Sequence, residues 1–209
     1  MKTFQFPFLL NIINVSKVME KQQIKVLGFS GSLRKGSFNT ALINNAIRLS
    51  PGYIKIEKFD ISPIPLYNDD IRVGIGEPDS VIEFKRKIRE ADALLIAVPE
   101  YNFSIAGVLK NALDWVSRPP NTSPLNNKPF AMMSAAGRLG GARAQYHMRQ
   151  VAVFLNMHAI NKPELMIPSA YDKFDKEGNL LDKSIEERIV ELLEALYEWT
   201  ILLKPENKI

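Results

Sequence analysis

The sequence predicts an α/β fold in which parallel strands form one sheet with helices on both faces. From Gln23 onward, short runs rich in β-branched residues alternate with longer amphipathic segments, as in strands joined by crossover helices. The runs KVLGFS and ALLIAVP are almost continuously apolar, which is typical of central strands buried on both faces. The segments after these strands are rich in Gly, Ser and Asn, so we expect a binding site at the carboxyl ends of the strands.

Five short apolar runs qualify as strands because each is bounded by turn-forming residues. The predicted strands are Ile24–Ser30, Tyr53–Phe59, Ala93–Pro99, Lys128–Ala135 and Lys162–Ile167. Five strands fit one open sheet. The Pro-bearing stretch Ile61–Pro78 is too short to separate two domains, so we expect it to be a long loop.

Five longer segments carry the periodicity of helices that cover such a sheet. The predicted helices are Asn39–Leu49, Ser80–Glu90, Ile105–Val116, Gly141–Asn156 and Lys183–Leu203. Asp79 and Ser80 are suitable residues to begin the second helix. Ser184, with Glu187 three residues later, has the spacing of a capping box at the start of the last helix.

Composition excludes several kinds of chemistry. The chain has 209 residues, of which 46% are hydrophobic, and this describes one globular domain. It contains no Cys, which excludes a thiolate nucleophile, a disulfide framework and a Cys-rich metal site. His147 and His158 have no Ser, Asp or second ligand at triad or metal-binding spacing, so we expect neither catalysis by histidine nor a metal site.

The two ends of the chain are set apart from this domain, which we place at residues 23–204. Residues 1–22 form an N-terminal appendage and residues 205–209 a tail. The apolar stretch Phe4–Val15 is interrupted by polar residues and lacks a small-residue cleavage site, so a signal peptide is disfavoured, and it is too short for a membrane span. The alternatives are a tail packed on the domain and an over-called start with Met19 as the first native residue. We expect a cytoplasmic protein.

The net charge of +4 does not indicate a nucleic-acid partner. Much of the excess of Lys and Arg lies in residues 1–22 and 204–209, and no run of five or more basic residues occurs. A surface that follows a phosphate backbone needs such clustered charge. We therefore expect small-molecule partners.

The segment after the first strand is suited to bind a phosphate. It joins a buried strand to a helix N-terminus, where unpaired N–H groups and the helix dipole favour an anion. Its donor side chains are those of Ser32, Arg34, Ser37, Asn39 and Thr40. A capped helix after a polar turn would explain Ser37 and Asn39, but it would not explain Arg34.

Features missing from this segment narrow the choice of phosphate ligand. Gly31 and Gly36 have the spacing of a Walker A loop, but Ser37 and Phe38 stand where Lys and Ser or Thr are needed. No GxGxxG motif follows the first strand, which disfavours a dinucleotide-binding Rossmann site. A phosphate monoester such as flavin mononucleotide (FMN) fits the segment better.

The segments after the third and fourth strands add groups that suit a flat ring. In the second segment, Pro99–Ser104, Tyr101 offers an apolar face and Asn102 an amide for the polar edge of an isoalloxazine. The alternative is a surface turn that happens to contain a tyrosine. The third segment, Ser134–Gly141, is rich in small residues that allow close approach of a ligand to the backbone. The alternative there is that Gly140 and Gly141 only shape the turn.

Together these segments resemble the NADPH-dependent FMN reductase family of flavodoxin-like proteins, which includes bacterial quinone, chromate and azo dye reductases. The resemblance extends from about Lys25 to Leu203, and its longest motifs are GSLRKGSFN and PEYNFSIAGVLKNALDW. GGARAQYHMRQ followed by NKPE is most similar to the chromate and quinone reductase branch. The resemblance implies a flavodoxin-like three-layer sandwich whose five-stranded parallel sheet has the order 2-1-3-4-5.

The resemblance also implies which residues bind FMN. The phosphate falls on Ser32, Arg34, Ser37 and Asn39, with Phe38 and Thr40 beside it, and the flavin ring on Pro99, Glu100, Tyr101 and Asn102. The third segment departs from the family pattern, because Ala135–Ala136 stands where a Ser-Pro pair is common. That leaves the backbone of Ala136 and Gly137 for the flavin.

The activity implied is FMN-dependent oxidation of NADPH or NADH. Hydride passes through N5 of the flavin to quinones, free flavin, chromate or azo compounds, so no catalytic side chain is required. The resemblance further implies a homodimer or homotetramer, with Arg143, Tyr146 and Glu164 at the interface. Two alternatives stay open. One is a flavodoxin-type electron carrier without NAD(P)H activity, although such carriers are usually acidic, and the other is a phosphate-binding protein without flavin.

Overall fold

The computed structural model describes residues 21–204. Residues 1–20 of the predicted appendage and the predicted tail, 205–209, lie outside this range. In chain order the strands are β1 (Ile24–Ser30), β2 (Ile54–Phe59), β3 (Ala93–Ala97), β4 (Glu100–Tyr101), β5 (Ser104–Ile105), β6 (Pro129–Ala135), β7 (His158–Ala159) and β8 (Leu165–Ile167). The helices are α1 (Phe38–Leu49), α2 (Asp69–Gly74), α3 (Asp79–Glu90), α4 (Gly107–Val116), α5 (Ala142–Phe154) and α6 (Lys183–Leu203).

The main sheet is parallel and has the predicted order. Its strands follow each other as β2-β1-β3-β6, and both β7 and β8 pair with β6 at the fifth position. The fifth strand is therefore divided into two short pieces. The predicted strand Lys162–Ile167 is shorter than expected, because only its last three residues, Leu165–Ile167, join β6.

Two apolar layers hold the helices on opposite faces of the sheet. Alternate residues of β1 point to opposite sides, so Val26 belongs to the layer with α1 and α6, and Phe29 to the layer with α3, α4 and α5. The second layer contains Trp115, which is fully buried. Burial of one such large side chain contributes about 1.5–3 kcal/mol. Among residues 21–204, no helix is long and apolar enough to cross a bilayer.

The last helix starts differently from the predicted capping box. Asp182 has extended backbone angles, and its carboxylate accepts hydrogen bonds from the main-chain N–H (3.1 Å) and the hydroxyl (2.6 Å) of Ser184. Asp182 is therefore the N-cap, and Ser184 lies inside the first turn. The predicted assignment was wrong because an aspartate two residues earlier takes the capping role.

Two further elements differ from the predictions. The stretch predicted as a loop, Ile61–Pro78, contains α2, whose first turn is capped by the side chain of Asn68. The predicted third strand ends at Ala97 instead of Pro99, because the chain turns there into the antiparallel β4–β5 hairpin. The hairpin also takes Ile105, so α4 begins at Gly107.

Candidate functional site

A cleft at the carboxyl ends of β1, β3 and β6 brings the three predicted segments together. Ten of the predicted FMN-binding residues line it: Ser32, Arg34, Ser37, Phe38, Asn39, Pro99, Glu100, Tyr101, Ala136 and Gly137. Two predicted residues, Thr40 and Asn102, are not part of the lining, whereas Ala135, Ala170 and Tyr171 are. Parallel strands end on the same side of a sheet, so segments far apart in sequence meet there.

The first segment presents the N-terminus of α1 to the cleft. Ser37 is the N-cap, and its hydroxyl accepts a hydrogen bond from the N–H of Thr40 (3.4 Å). The preceding N–H groups of the first turn, those of Phe38 and Asn39, have no acceptor within the helix. Gly31 allows this arrangement, because a Cβ there would lie 2.8 Å from Pro99 Cδ and from Leu109 Cβ.

Arg34 provides a positive charge at the mouth of the cleft. Its side chain is exposed, and its guanidinium lies 5.5 Å from the centroid of the Phe38 ring. Phe38 also stacks on Phe174, with the ring centroids 5.2 Å apart. Within residues 21–204, Arg34 forms no ion pair with a carboxylate, so its charge is available to an anionic ligand.

Asn39 has a different role from the one its position suggested. Its side-chain NH₂ donates to the carbonyl of Ala135 (2.9 Å), and its side-chain oxygen accepts from the N–H of Ala135 (3.1 Å). The residue is buried, with 6% of its surface exposed. Both polar atoms of the side chain thus join the first segment to the third.

The third segment is shaped by two glycines and supported by a buried polar network. A Cβ on Gly141 would lie 2.6 Å from Ser134 Cβ, and one on Gly140 would lie 2.8 Å from the backbone of Ile167. Both have positive φ angles, +91° and +61°. Below them, the side-chain NH₂ of Gln145 donates to Ser134 Oγ (2.8 Å), which donates to the carbonyl of Gly140 (2.6 Å). These glycines form the turn, in agreement with the alternative reading of the sequence.

Gly137 and Ala136 differ in what they offer to a ligand. A Cβ on Gly137 would meet no atom within 4 Å, so the space at its α-carbon is open, although its carbonyl accepts from the N–H groups of Gly140 (3.1 Å) and Ser169 (3.0 Å). The N–H of Ala136, in contrast, donates to Ile167 (3.2 Å), and its carbonyl accepts from Ala170 (3.0 Å). The expectation that the backbone of Ala136 is free was therefore wrong, because residues 167–170 continue the pairing of β8 with β6.

The same pairing explains two lining residues that the sequence analysis missed. The N–H of Ala170 donates to the carbonyl of Ala136, which places Ala170 beside the third segment. The next residue, Tyr171, lines the cleft and has 69% of its surface exposed. The signal that could have identified these residues is their position in the topology of the sheet. Residues 168–171 follow the fifth strand, so they too lie at the carboxyl end of the sheet.

The second segment is the β4–β5 hairpin, which places Tyr101 in the cleft. Its two-residue turn, Asn102–Phe103, has φ angles of +48° and +68°, as in a type I′ turn. Tyr101 is 53% exposed and lines the cleft. Asn102 lies at the tip of the hairpin, which explains why its amide is not part of the lining.

Two residues of helix α5, Arg143 and His147, hold this hairpin in place. Glu100 accepts hydrogen bonds from the backbone N–H (3.1 Å) and the guanidinium (3.2 Å) of Arg143, whose guanidinium also stacks 3.8 Å from the centroid of Phe103. The Nδ1 of His147 lies 3.0 Å from Ser104 Oγ. The Glu100 carboxylate therefore holds the hairpin in place beside the cleft.

The three residues predicted at a subunit interface do not pair with each other in the single chain. Arg143 is engaged with Glu100, while Glu164 lies 3.8 Å from Arg149. Tyr146, one turn along α5 from Arg143, is 54% exposed. Of these three residues, Tyr146 is the one that is exposed and takes part in no ion pair among the described residues.

The segment around Pro65 is anchored to α4 and does not line the cleft. The carbonyl of Pro65 accepts from Asn111 Nδ2 and Trp115 Nε1, both at 2.8 Å, and the N–H of Tyr67 donates to Asn111 Oδ1 at 2.7 Å. Trp115 is thus a buried packing residue whose indole N–H also anchors this segment. Asn111 is a structural residue that its sequence position did not reveal.

The donor set of the cleft fits FMN. The helix N-terminus, the Ser32 and Ser37 hydroxyls and the unpaired Arg34 suit a phosphate. On the side of the second and third segments, Tyr101 and the open space at the α-carbon of Gly137 leave room for a flat ring. In residues 21–204, no group of three acidic or histidine side chains is placed to hold a metal ion.

This chain is similar in sequence and in fold to proteins that are already known. The family model described as NADPH-dependent FMN reductase matches residues 24–172. The NAD(P)H-dependent FMN reductase of Pseudomonas aeruginosa is 56% identical over 87% of this chain and 97% of its own. An NADPH:quinone oxidoreductase of Arabidopsis thaliana is 49% identical over 88% of this chain and 95% of its own. The flavoenzyme NAD(P)H:(acceptor) oxidoreductase FerB of Paracoccus denitrificans superimposes with a TM-score of 0.77 at 30% identity, covering 85% of this chain and 97% of its own.

Proposed function

This chain belongs to the NADPH-dependent FMN reductase family, and we propose on that basis that it is an FMN-dependent NAD(P)H oxidoreductase. The observation that carries the proposal is the cleft, where a phosphate-binding helix N-terminus and a space for a flat ring lie side by side. Residues 23–204 form the FMN-binding domain in this proposal. When bound, FMN supplies the hydride transfer between the reduced nicotinamide and the acceptor.

The side chains of the protein bind and orient; none of them needs to transfer a proton. Arg34 offsets the charge of the phosphate, and Ser32, Ser37 and the N–H groups of Phe38 and Asn39 bind its oxygens. The side chain of Asn39 acts indirectly, because its bonds to Ala135 fix the distance between the phosphate end and the ring end.

The ring end of the site consists of rigid backbone and exposed tyrosines. Pro99, Glu100 and Tyr101 border the ring from the hairpin side, with the Glu100–Arg143 ion pair keeping the hairpin in position. On the side of the third segment, Gly137 offers its N–H and the open space at its α-carbon, because its carbonyl is bonded to Gly140 and Ser169. The exposed rings of Tyr101 and Tyr171 border the opening through which donor and acceptor enter.

The acceptors we propose are small oxidants, with quinones first. The relatives in Arabidopsis thaliana and Escherichia coli K12 are named as quinone reductases, the latter at 39% identity over 85% of this chain and 96% of its own. An open cleft bordered by tyrosines places little restriction on the shape of an acceptor, so free flavin, chromate and azo compounds remain candidates. We propose a cytoplasmic reaction, because NAD(P)H is regenerated there.

Spectroscopy tests this function directly. The purified protein is saturated with FMN, freed of excess flavin and mixed anaerobically with NADPH and then with NADH. We expect bound flavin whose visible absorption is bleached rapidly by at least one nucleotide. Bound flavin that neither nucleotide bleaches would indicate an electron carrier, and failure to bind flavin would indicate another phosphate ligand.

A substitution tests the phosphate end of the site. Arg34→Ala removes the unpaired guanidinium, and we expect the Kd for FMN to rise about tenfold, as for the loss of one charged hydrogen bond. The measurement is titration of the apoprotein by quenching of flavin fluorescence. Arg89→Ala, an exposed arginine of α3 that does not line the cleft, is the control and should leave Kd unchanged.

We also propose a homodimer or homotetramer in which Arg143, Tyr146 and Glu164 contribute to the interface. The exposed ring of Tyr146 supports this, and Arg143 would add a contact to a neighbouring chain while keeping its bond to Glu100. Light scattering at micromolar concentration is the measurement. A strictly monomeric protein would contradict the proposal.

A further inference from the structure

A second cavity opens at the same end of the sheet, between the carboxyl ends of β1 and β2. It has a volume of about 310 Å³ and is bounded by Ser30 and Phe59, the last residues of the two strands. Ser32 and Arg34 line both this cavity and the cleft proposed for FMN. The two spaces are therefore neighbours on either side of the first segment.

The walls of this cavity carry an excess of positive charge. Arg34, Lys35 and Lys58 line it, together with a single carboxylate, that of Asp60. Both oxygens of Asp60 accept hydrogen bonds from Ser62, from its N–H at 2.9 Å and its hydroxyl at 2.7 Å. Lys58 Nζ donates to the neutral side chain of Asn44 at 2.9 Å. No ion pair among the described residues neutralises the three cations.

An adjacent cavity shows that this excess is local. The space on the other side of Lys35 also contains Lys176, but Asp175 and Glu177 balance the two lysines. The adjacent cavity therefore has no net positive charge, although lysines line it as well. Of these two cavities, the one between β1 and β2 is expected to attract an anion, because its positive charges are in excess.

The cavity also has apolar walls beside its cations. Leu33 is 51% exposed there, and the Phe59 ring is held in place by Phe84, with the ring centroids 4.7 Å apart. Inorganic phosphate would use only the cations. A heterocycle attached to a phosphorylated sugar would use both kinds of surface.

We propose that this cavity binds the adenosine end of the reduced nicotinamide donor, with Lys35 and Lys58 on the 2′-phosphate that distinguishes NADPH from NADH. The inference rests on the proposed function, and it assigns NADPH as the preferred donor. NADH carries a neutral hydroxyl at this position, so the two ammonium groups favour NADPH selectively. Arg34, between the two spaces, faces the phosphates of both FMN and the donor.

Direct binding tests the cavity without any turnover. Calorimetry on the protein with saturating FMN compares adenosine 2′,5′-bisphosphate with adenosine 3′,5′-bisphosphate, which has the same charge, and with 5′-AMP. We expect the 2′,5′-bisphosphate to bind about tenfold more tightly than either of the others. Lys58→Ala and Lys35→Ala should abolish this preference. Lys55→Ala, an exposed lysine of the same strand that does not line the cavity, should retain it.

Equal binding of the two bisphosphates would overturn the inference, because it would show attraction of charge without recognition of the 2′ position. Steady-state kinetics gives a second criterion. The Lys35→Ala/Lys58→Ala double variant should lose about tenfold in kcat/KM for NADPH and change less than about twofold for NADH. A similar loss with both donors, or a wild type that uses both equally well, would contradict it.

These outcomes differ from failure of the proposed function. If neither nucleotide reduced the bound flavin, the reductase proposal would fail, and the calorimetric preference would still decide whether the cavity recognises a 2′-phosphate.

Discussion

Asn39 shows what a single residue contributes that its identity does not reveal. Its residue type and its position after a phosphate-binding turn predicted a contact with the ligand. Its side-chain amide instead hydrogen-bonds to Ala135, 96 residues later in the chain. Glu100 is similar, because its carboxylate binds Arg143. Sequence reasoning identified both as site residues, but the partner of a side chain depends on the tertiary structure.

Removing the Asn39 amide should destabilise the whole protein. Asn39→Ala leaves the buried N–H and carbonyl of Ala135 without partners, which should lower the free energy of unfolding by about 2 kcal/mol or more. Urea denaturation of the apoprotein measures the change. Asn121→Ala, at an exposed position, is the control. A loss below about 0.5 kcal/mol for Asn39→Ala would contradict the connecting role.

At the scale of elements, long periodic segments were predictable and short ones were not. Helix α6 has the predicted limits, and β1 does as well, because each carries a sustained apolar pattern. Strands β4, β5 and β7 have two residues each, too few for any periodicity to show. The hairpin and the divided fifth strand follow from pairing with neighbours that only the folded chain provides.

The glycine turn after β6 allows a matched pair of substitutions. Gly141→Ala places a Cβ 2.6 Å from that of Ser134 in a backbone conformation with φ of +91°, so it should cost about 2 kcal/mol or more. Gly137→Ala, in open space, should change the stability of the apoprotein by less than about 0.5 kcal/mol. Equal effects in urea denaturation would refute this account of the turn.

The N-cap of α6 should make stability depend on pH in a defined direction. Hydrogen bonds from Ser184 and the ion pair with Lys173 lower the pKa of Asp182 below its ordinary value of 3.8. The carboxylate therefore contributes stability above that value, and the contribution is lost as the pH falls through the lowered pKa.

The corresponding variant is Asp182→Asn, which can still cap the helix but carries no charge. Wild type should melt at a higher temperature than this variant at pH 7, and the difference should shrink toward zero as the pH falls below about 4. Glu191→Gln, which removes an exposed carboxylate from the middle of the same helix, is the control, and its effect on the melting temperature should be small at both pH values. A difference that is constant with pH would contradict the role of the Asp182 carboxylate.

At the scale of the molecule, the order of the strands and the meeting of three segments at one end of the sheet were predictable. Apolar runs identified the central strands, and parallel strands must all end on one side. The fourth contribution, from residues 168–171, was missed because that segment contains no glycine and only one small polar residue, Ser169, whereas the other three are rich in Gly, Ser or Asn. Its position after the last strand was the available clue.

The completed site should couple ligand binding to the stability of the whole domain. FMN at about 100 times its Kd should stabilise the fold by about 2.7 kcal/mol, or roughly 5–10 °C in Tm for a chain of this size. Riboflavin at the same concentration lacks the phosphate and should give a much smaller shift. A thermal-shift experiment measures both, and equal shifts would place the binding energy on the ring instead of the first segment.

The two sides of the sheet bear on how subunits can join. Strand β2 at one side alternates Lys55 and Glu57 with apolar residues, and the opposite side consists of two strands of two and three residues. Charged side chains and short, interrupted strands are poor templates for hydrogen bonding to the strand of another molecule. Continuous intermolecular sheets, and the aggregation that follows from them, are therefore disfavoured at both margins. A second subunit would have to attach through helices and loops, as the exposed face of α5 allows.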